Sequence, residues 1–260
     1  MSASSSRRRR AGWATALPWL DLVALALWGG LFLKYWVTGK LFILIHPNYM
    51  ALTIAAGIVF LVICGVKALT LLQQTQKSDR GGLPHLTVFP PGWGTAILIV
   101  AAIAGLLIEP RAFASQTAIQ RGLTDSTLTT RTKPQAFRSS TRPEERSIVD
   151  WVRTLNVYPE PDAYTGQKVK VQGFAVHPPQ EQMPEQYLLI SRFVITCCAA
   201  DVYPVGLPVK LKGQRSAFPA DQWFEVEGQM ITETLGGKRQ LVIHATSLKP
   251  IQAPKNPYEY

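Results

Sequence analysis

Three long apolar segments constrain this chain more than any other feature of its sequence. They run over residues 17–37, 45–66 and 91–108. A helix that crosses the hydrocarbon core of a bilayer needs about 20 mainly apolar residues, with a usable range of about 17–25. The first two segments meet this requirement, and the third meets it only with residues at the interface. Because the segments lack polar faces, we predict a membrane region with three spans over residues 17–110 rather than a globular helical core.

Flanking charge predicts the orientation of these spans. Four consecutive arginines, residues 7–10, lie in a basic tail over residues 1–16 and favour a cytoplasmic N-terminus. Lys67, Lys77 and Arg80 follow the second span, whereas the short connection before it carries only Lys40. Three crossings then place everything after residue 108 outside the cytoplasm. We therefore expect a multi-pass protein of the cell (inner) membrane with an extracytoplasmic C-terminal domain.

The charge distribution excludes one class of partner. The net charge is +10, but residues 1–149 hold 16 Lys/Arg against 6 Asp/Glu, and residues 150–250 hold 10 of each. The basic character therefore belongs to the membrane half of the chain. A nucleic-acid-binding domain carries a basic stripe on its own folded surface. We expect the lipid bilayer, and no nucleic acid, as a partner.

The region after the spans divides into a linker and a short helix. Residues 111–142 are rich in Ser, Thr, Gln and Arg without a sustained period, which predicts a linker. Thr141 and Glu144 have capping-box spacing, and Pro143 suits a first helical turn. Apolar residues at helical spacing then predict an amphipathic helix over residues 143–156.

The remainder of the chain has the pattern of an all-β domain over residues 164–250, followed by a C-terminal tail over residues 251–260. The predicted strands are 168–176, 187–196, 208–212, 223–232 and 239–248. Five short strands separated by glycine-containing turns suit a small closed barrel, and the OB-fold is the most common five-stranded kind. The predicted fold class is a helical membrane region joined to an OB-like β-barrel.

The main candidate site is a pair of adjacent cysteines, Cys197 and Cys198, followed by Asp201 at the end of the second predicted strand. The chain has only three cysteines, so the pair is a distinctive feature. Such a pair fits a metal or thiol-redox site, a local disulfide, or two small buried side chains. In a regular strand adjacent side chains point to opposite faces, so both sulfurs reach one ion only where the strand ends or bends.

Two histidines are candidates for a nitrogen ligand at this site. Zinc accepts sulfur, nitrogen and oxygen ligands together, so zinc is the expected metal if the site is functional. Asp201 supplies the oxygen, and His177 or His244 the nitrogen. The spacing is not that of a zinc finger, and packing of the thiols remains the alternative.

Two further polar residues are weaker candidates. Arg192 precedes the apolar end of the second strand, where it either is an ordinary charge at the rim of the barrel or pairs with Asp201 or with a carboxylate on a neighbouring strand. His46 lies at the outer boundary of the membrane, where it would line a substrate route or form part of an interfacial turn.

Several short motifs resemble an uncharacterised bacterial family of permease subunits (YcgQ-like). They are the run RFVITCCAAD at residues 192–201, GFAV at 173–176, IHP at 45–47 and PKNPYEY at 254–260. The family is similar in plan, with a few N-terminal spans, a variable linker and a β-rich domain with an R-F-x-I-x-C-C-x-A-D core. The resemblance implies that the chain operates beside a separate multi-span permease.

These features favour a binding role over catalysis. The sequence has no G-x-S-x-G elbow, P-loop or G-x-G-x-x-G, and its four histidines are too few for an evident catalytic triad. The leading hypothesis is an accessory subunit of a membrane permease complex whose outer OB-like domain binds substrate or the permease. The alternatives are a membrane-anchored metal or thiol-redox binding protein that uses Cys197 and Cys198, and a structural anchor with a ligand-binding OB module.

Overall fold

The chain divides into two compact units, a helical unit and a β-unit. The helical unit contains residues 1–41 and 47–110, and the β-unit contains Phe42–His46 and Arg111–Tyr260. The computed structural model of the chain describes residues 3–73, 92–123 and 142–260, with side chains from Leu17 onward. Lys77, Arg80, Thr141 and most of the predicted linker therefore lie outside the described residues.

Two of the described helices are long and apolar enough to cross a membrane, at Leu17–Val37 and Pro47–Gln73. The four helices that begin in residues 3–107 are α1 (Ala3–Val37), α2 (Leu41–Leu44), α3 (Pro47–Gln73) and α4 (Trp93–Leu107). The third predicted span thus forms the 15-residue α4, which is about 22 Å long against a hydrocarbon core of about 30 Å. The helix ends at Leu107 because the backbone of Ile108 is extended, immediately before Glu109 and Pro110.

Side chains of α1 connect it to both neighbouring helices. Trp28 Nε1 donates to the Leu98 carbonyl at 3.1 Å, and Lys34 Nζ donates to the Leu106 carbonyl at 2.9 Å. Because higher numbers on α1 meet higher numbers on α4, these two helices run in the same direction. Lys67 near the end of α3 pairs with Asp21 near the start of the apolar part of α1, so α3 runs in the opposite direction.

The β-unit is built on a six-stranded sheet with the order β1-β4-β5-β3-β2-β6. Its strands are β1 (Lys168–Val176), β2 (Tyr187–Val194), β3 (Tyr203–Lys210), β4 (Trp223–Leu235), β5 (Lys238–Ile251) and β6 (Tyr258–Glu259). β1 also pairs with β2, so the pairings β1–β4–β5–β3–β2 return to β1. β6 is parallel to β2 and outside this cycle.

The sequence located five of the six strands, began one of them too late and missed the sixth. β3 begins at Tyr203 rather than residue 208, because Pro204 and Pro208 obscured the strand pattern. β6 lies in the segment that was expected to be a C-terminal tail, and its Tyr258 is 1% exposed. A two-residue strand has no periodicity to detect, and only its pairing with β2 defines it.

Both faces of the sheet are covered, each by a separate apolar cluster. Phe224 belongs to one cluster, and the half-buried Trp223 packs against the other, as alternation along β4 requires. The first cluster is covered by α6 (Ile148–Val157), through Ile148, Trp151 and other residues on its apolar face. β2 is consequently buried along nearly its whole length.

The second face is covered by part of the segment that was predicted to be a linker. Residues 115–120 form α5 (Ser115–Gln120), whose Ala118 is fully buried, and Leu123 is 1% exposed. The amide of Ser115 donates to Asp221 Oδ1 at 2.5 Å. The linker prediction is wrong for residues 111–123, because a few apolar residues among polar ones are enough to hold a short segment on the sheet.

The predicted amphipathic helix begins later than expected. Pro143–Glu145 form a single 3-10 turn, and α6 starts after Ser147. The Ser147 hydroxyl accepts from the Asp150 amide, and the Asp150 carboxylate accepts from the Ser147 amide, both at 3.1 Å. This reciprocal pair is a capping box with Asp in place of Glu, which explains why the Thr141–Glu144 spacing misplaced the start of the helix.

Candidate thiol–carboxylate site

The site lies in the loop that connects β2 to β3, within the β-unit. β2 ends at Val194, and the chain bends through Thr196 and Cys197 before β3 begins at Tyr203. The bend removes the strand alternation that would separate the two cysteine side chains. Cys197 Sγ and Cys198 Sγ are therefore only 3.6 Å apart.

Asp201 fixes this bend through its carboxylate. Its Oδ2 accepts from the Cys197 amide at 2.7 Å and from the Thr196 hydroxyl, and its Oδ1 accepts from the Cys198 amide at 3.2 Å. The Asp201 amide donates back to the Cys198 carbonyl at 3.0 Å. A short carboxylate side chain that binds several local amides is a common way to stabilise a tight turn.

The two thiols and the carboxylate form one cluster of potential metal ligands. One donor atom from each of Cys197, Cys198 and Asp201 lies within 4.8 Å of the others. Cys197 is exposed, whereas Cys198 and Asp201 are half-buried. Among the described residues, these form the one group of three or more His, Cys, Asp or Glu side chains that lie close enough together to share an ion.

The electrostatics of the cluster hold a proton on one thiol. Hydrogen bonding to Asp201, and then to Cys198, raises the pKa of Cys197 to about 11. Burial opposes ionisation of Asp201, but hydrogen bonds from Thr196, Cys197 and the two amides outweigh it and lower the pKa of that carboxyl. In the absence of a cation, the cluster thus carries an ionised carboxylate and a protonated Cys197.

Neither histidine that was expected to complete the site is near it. His177 Nε2 lies 2.8 Å from the Phe218 carbonyl, and His244 is exposed on β5. His177 follows the end of β1, where Val176 pairs with Leu189 near the start of β2. His244 pairs with Lys210, which in turn pairs with Tyr187. Both histidines therefore lie at the opposite end of β2 from the cysteines, and the expected nitrogen ligand is not brought into the cluster.

His46 is the histidine that the fold brings beside the cysteine loop. Its amide donates to the Cys197 carbonyl at 3.0 Å, and the Ala199 amide donates to the Leu44 carbonyl at 2.8 Å. Ile45 and Cys198 form an antiparallel bridge. The His46 ring packs edge-on against Tyr260, with ring centroids 4.7 Å apart. Sequence reasoning placed His46 at a membrane boundary and missed this contact, because no local pattern joins residues 150 positions apart.

Arg192 does not pair with Asp201. Its Nε lies 3.3 Å from Glu259 Oε1, and the two side chains are 12% and 20% exposed. Its guanidinium also lies 5.1 Å from the centre of the Trp223 ring. Burial raises the pKa of Glu259, and the charge of Arg192 opposes that rise. The carboxylate comes from the neighbouring strand β6, so this pair joins the C-terminus to β2.

These features define a protein with apolar helices, a β-domain and a vicinal dithiol beside a carboxylate. Two family models match the chain: the DUF1980 N-terminal domain over residues 20–124 and the DUF1980 C-terminal domain over residues 140–260. The chain therefore belongs to the DUF1980 family. Comparisons with curated proteins and with solved structures find no match.

Proposed function

We propose that this chain is a membrane-anchored accessory subunit that binds a thiophilic metal ion, with zinc as the expected ion, through its β-domain. The observation that carries the binding role is the cluster of Cys197, Cys198 and Asp201, whose donor atoms lie within 4.8 Å of one another. Binding, rather than catalysis, is the role that this set of side chains supports.

The spacing of the sulfur atoms suits zinc. Two Zn–S bonds of about 2.3 Å at a tetrahedral angle place the sulfurs about 3.8 Å apart. The observed separation is 3.6 Å. A carboxylate oxygen is a suitable third ligand. Little movement is therefore needed for the three side chains to share an ion.

Three protein ligands leave one tetrahedral position open. Structural zinc sites are usually closed by four protein ligands, whereas sites that exchange a ligand retain an open position. Cys197 is also exposed, so the ion would be accessible to an incoming ligand. We propose that the site takes up and releases its ion rather than serving as a permanent structural centre.

Zinc titration of the full-length protein in detergent tests this proposal. Reduced wild-type protein should bind one equivalent of zinc, and Cys197→Ser and Cys198→Ser should each weaken binding by at least tenfold. Cys64→Ser is the matched control, because Cys64 lies on α3 rather than in the cysteine loop, and its thiol donates a hydrogen bond to the Leu22 carbonyl. Cobalt substitution adds a second readout, since cobalt–thiolate bonds give a charge-transfer band. Equal zinc affinity in all four proteins would overturn the metal site.

The direction of the helices supports an extracytoplasmic β-domain. α1 and α4 run in the same direction, and Lys40 after α1 lies 3.4 Å from Glu109 after α4. Within the β-unit, residues 44–46 of the α1–α3 connection bond to residues 197–199. Two crossings by α1 and α3 put their connection on the side opposite the N-terminus. These contacts support a β-domain on the same side of the membrane as the α1–α3 connection. In this arrangement α4 is a third, short crossing.

The partner in this proposal is a separate multi-span permease. α3 and α4 carry many exposed apolar side chains, such as Leu52 at 71% and Val100 at 66%, which suit either lipid or another membrane protein. Two long helices and a short one rarely form a transport path by themselves. The resemblance to a YcgQ-like family of permease subunits agrees with this role.

Affinity purification of the full-length protein in mild detergent tests the partnership. A stoichiometric multi-span protein should copurify with the wild type and be identified by mass spectrometry. The same purification of the Cys197→Ser variant separates the two parts of the proposal, because loss of the metal alone should leave the partner bound. A protein that purifies alone at every detergent strength contradicts the accessory role.

We further propose that the β-unit is an OB-like barrel. The cycle β1–β4–β5–β3–β2–β1 supports this assignment, since a closed set of pairings hides the strand edges. The third hypothesis, a structural anchor with an OB ligand module, rests on this topology alone. It predicts a folded domain that binds no zinc, so the titration above separates it from the metal site.

A further inference from the structure

An open groove with a cavity volume of about 530 Å³ lies between α1, α3 and α4, where no sequence motif indicated a site. Side chains of α1, α3 and α4 all contribute to its walls. Its lining residues are Asp21, Ala24, Leu25, Trp28, Phe32, Phe60, Lys67, Thr95 and Leu98. The volume falls in the range of about 300–1,000 Å³ that is typical of small-molecule sites.

One end of the cavity is polar. Asp21 Oδ2 accepts from Lys67 Nζ at 2.9 Å, and Asp21 Oδ1 accepts from the Thr95 hydroxyl at 3.0 Å. The Asp21 and Lys67 side chains are 44% and 36% exposed, so each can make a further contact. Asp21 lies four residues into the apolar stretch Leu17–Val37, about 6 Å along the helix and therefore near the head-group level.

The rest of the cavity is apolar and aromatic. Phe32 stacks on Phe60 with ring centroids 6.1 Å apart, and Trp28 meets Phe32 edge-on at 5.6 Å. The indole N–H of Trp28 is already bonded to the Leu98 carbonyl. The wall therefore offers an apolar surface, whereas the other end is polar. This combination suits a ligand that has both an apolar chain and a polar head group.

We propose that this cavity binds a membrane phospholipid with a zwitterionic head group. The ammonium group contacts Asp21, the phosphate contacts Lys67, and one acyl chain lies along Trp28, Phe32 and Phe60. The charges at the polar end sum to zero, so a zwitterion satisfies both of them. A purely anionic head group would face the Asp21 carboxylate, and a purely cationic one would face Lys67.

Native mass spectrometry of the full-length protein with phosphatidylethanolamine or phosphatidylglycerol tests this site. The wild type should retain the ethanolamine lipid in preference to the glycerol lipid. Asp21→Asn should weaken that binding roughly tenfold, because the charge-assisted hydrogen bond from the ammonium group to the carboxylate is lost. Lys67→Gln provides a second variant with the same expected direction. Glu109→Gln is the matched control, since Glu109 follows the opposite end of α4 and does not line the cavity.

A steric variant gives an independent measurement. Ala24 is 7% exposed and lines the cavity, so Ala24→Leu should fill part of it and reduce lipid retention. Ala51→Leu, at an exposed position of α3 outside the cavity, should have no effect. Helical circular dichroism and gel filtration confirm folding of each variant. Equal retention of both lipids, or unchanged binding in Asp21→Asn and Ala24→Leu, would show ordinary annular lipid and overturn the proposal. Tighter glycerol-lipid binding in Asp21→Asn would support the zwitterion specificity, because the substitution removes the carboxylate that opposes an anionic head group, whereas a wild-type preference for the glycerol lipid would overturn it.

Discussion

At the scale of single residues, Asp201 determines the properties of the cysteine loop. Its carboxylate accepts hydrogen bonds from two backbone amides and one hydroxyl, so it stabilises the bend that brings Cys197 and Cys198 together. The same carboxylate raises the pKa of Cys197. One side chain therefore both brings the two thiols together and keeps the exposed thiol of Cys197 protonated.

Asp201→Asn should accelerate alkylation of Cys197 at pH 8. Removing the negative charge lowers the pKa of the thiol, and the thiolate is the nucleophile. Each unit of decrease in that pKa raises the thiolate fraction about tenfold. Iodoacetamide labelling followed by peptide mass spectrometry measures the rate at Cys197, with Cys64 in the same sample as an internal control. A slower or unchanged rate would contradict the role assigned to Asp201.

Zinc affinity should rise with pH over the range 6 to 8. Because the pKa of Cys197 is about 11, its thiol is protonated across this range and must lose its proton when zinc binds. Release of one proton strengthens apparent binding about tenfold for each pH unit. Calorimetric titration in buffers of different ionisation enthalpy counts the released protons. Affinity that is independent of pH would contradict a thiolate ligand.

At the scale of the elements, two glycines allow α1 and α3 to pack closely. A Cβ atom at Gly57 would lie 3.2 Å from Phe32 Cβ and 3.4 Å from the Gly29 carbonyl oxygen. Close backbone approach at small residues is a usual way to pack membrane helices. The position therefore has little room for a larger side chain.

Gly57→Val should destabilise the helical unit, whereas Gly65→Val on the same helix should not. A Cβ atom at Gly65 meets nothing within 4 Å. Overpacking a close contact typically costs about 1–3 kcal/mol. Thermal unfolding in detergent, followed by helical circular dichroism, measures the difference. Equal melting temperatures for the two variants would show that the glycine contact does not stabilise the packing of α1 on α3.

An ion pair that is largely shielded from water joins the C-terminal strand β6 to β2. Glu259→Ala leaves the Arg192 guanidinium, which is 12% exposed, without its carboxylate partner. Breaking a buried pair by removal of one partner costs about 3–5 kcal/mol. The exposed pair Arg239–Asp162 provides the control, and Asp162→Ala should have little effect. Denaturant unfolding of the full-length variants, monitored by tryptophan fluorescence, measures how much each substitution lowers the free energy of unfolding. Equal decreases for Glu259→Ala and Asp162→Ala would contradict the structural role of β6.

At the scale of the whole molecule, the order of the helices has consequences for topology. α4 is shorter than a typical span, yet it runs in the same direction as α1. Interfacial residues at its ends, such as Trp93, make a short crossing feasible. The side of the membrane that holds the β-unit is therefore decided by whether α4 crosses.

Cys197 should be labelled by a membrane-impermeant thiol reagent in intact spheroplasts. The proposed third crossing by α4 would place it outside the cytoplasm, and its side chain is exposed. Labelling at elevated pH compensates for the raised pKa of the thiol. The Cys197→Ser variant identifies the labelled position, and a cytoplasmic cysteine protein controls for lysis. Labelling that requires lysis would show that α4 does not complete a third crossing.

The sequence alone determined the apolar helices and the approximate positions of most strands. Length and hydrophobicity define a helix such as α3, and alternation defines a strand such as β1, because both are local properties of the chain. It also identified Cys197, Cys198 and Asp201 as a group, since the three are close in sequence and precede a turn.

The tertiary structure decided which distant residues meet. Strand register placed His177 and His244 at the far end of β2 from the cysteines. Backbone hydrogen bonds brought His46 beside the cysteines instead. It also gave Arg192 its partner Glu259 and covered the second face of the sheet with residues 111–123. These outcomes depend on pairings between segments far apart in the chain, so local periodicity carries no signal for them.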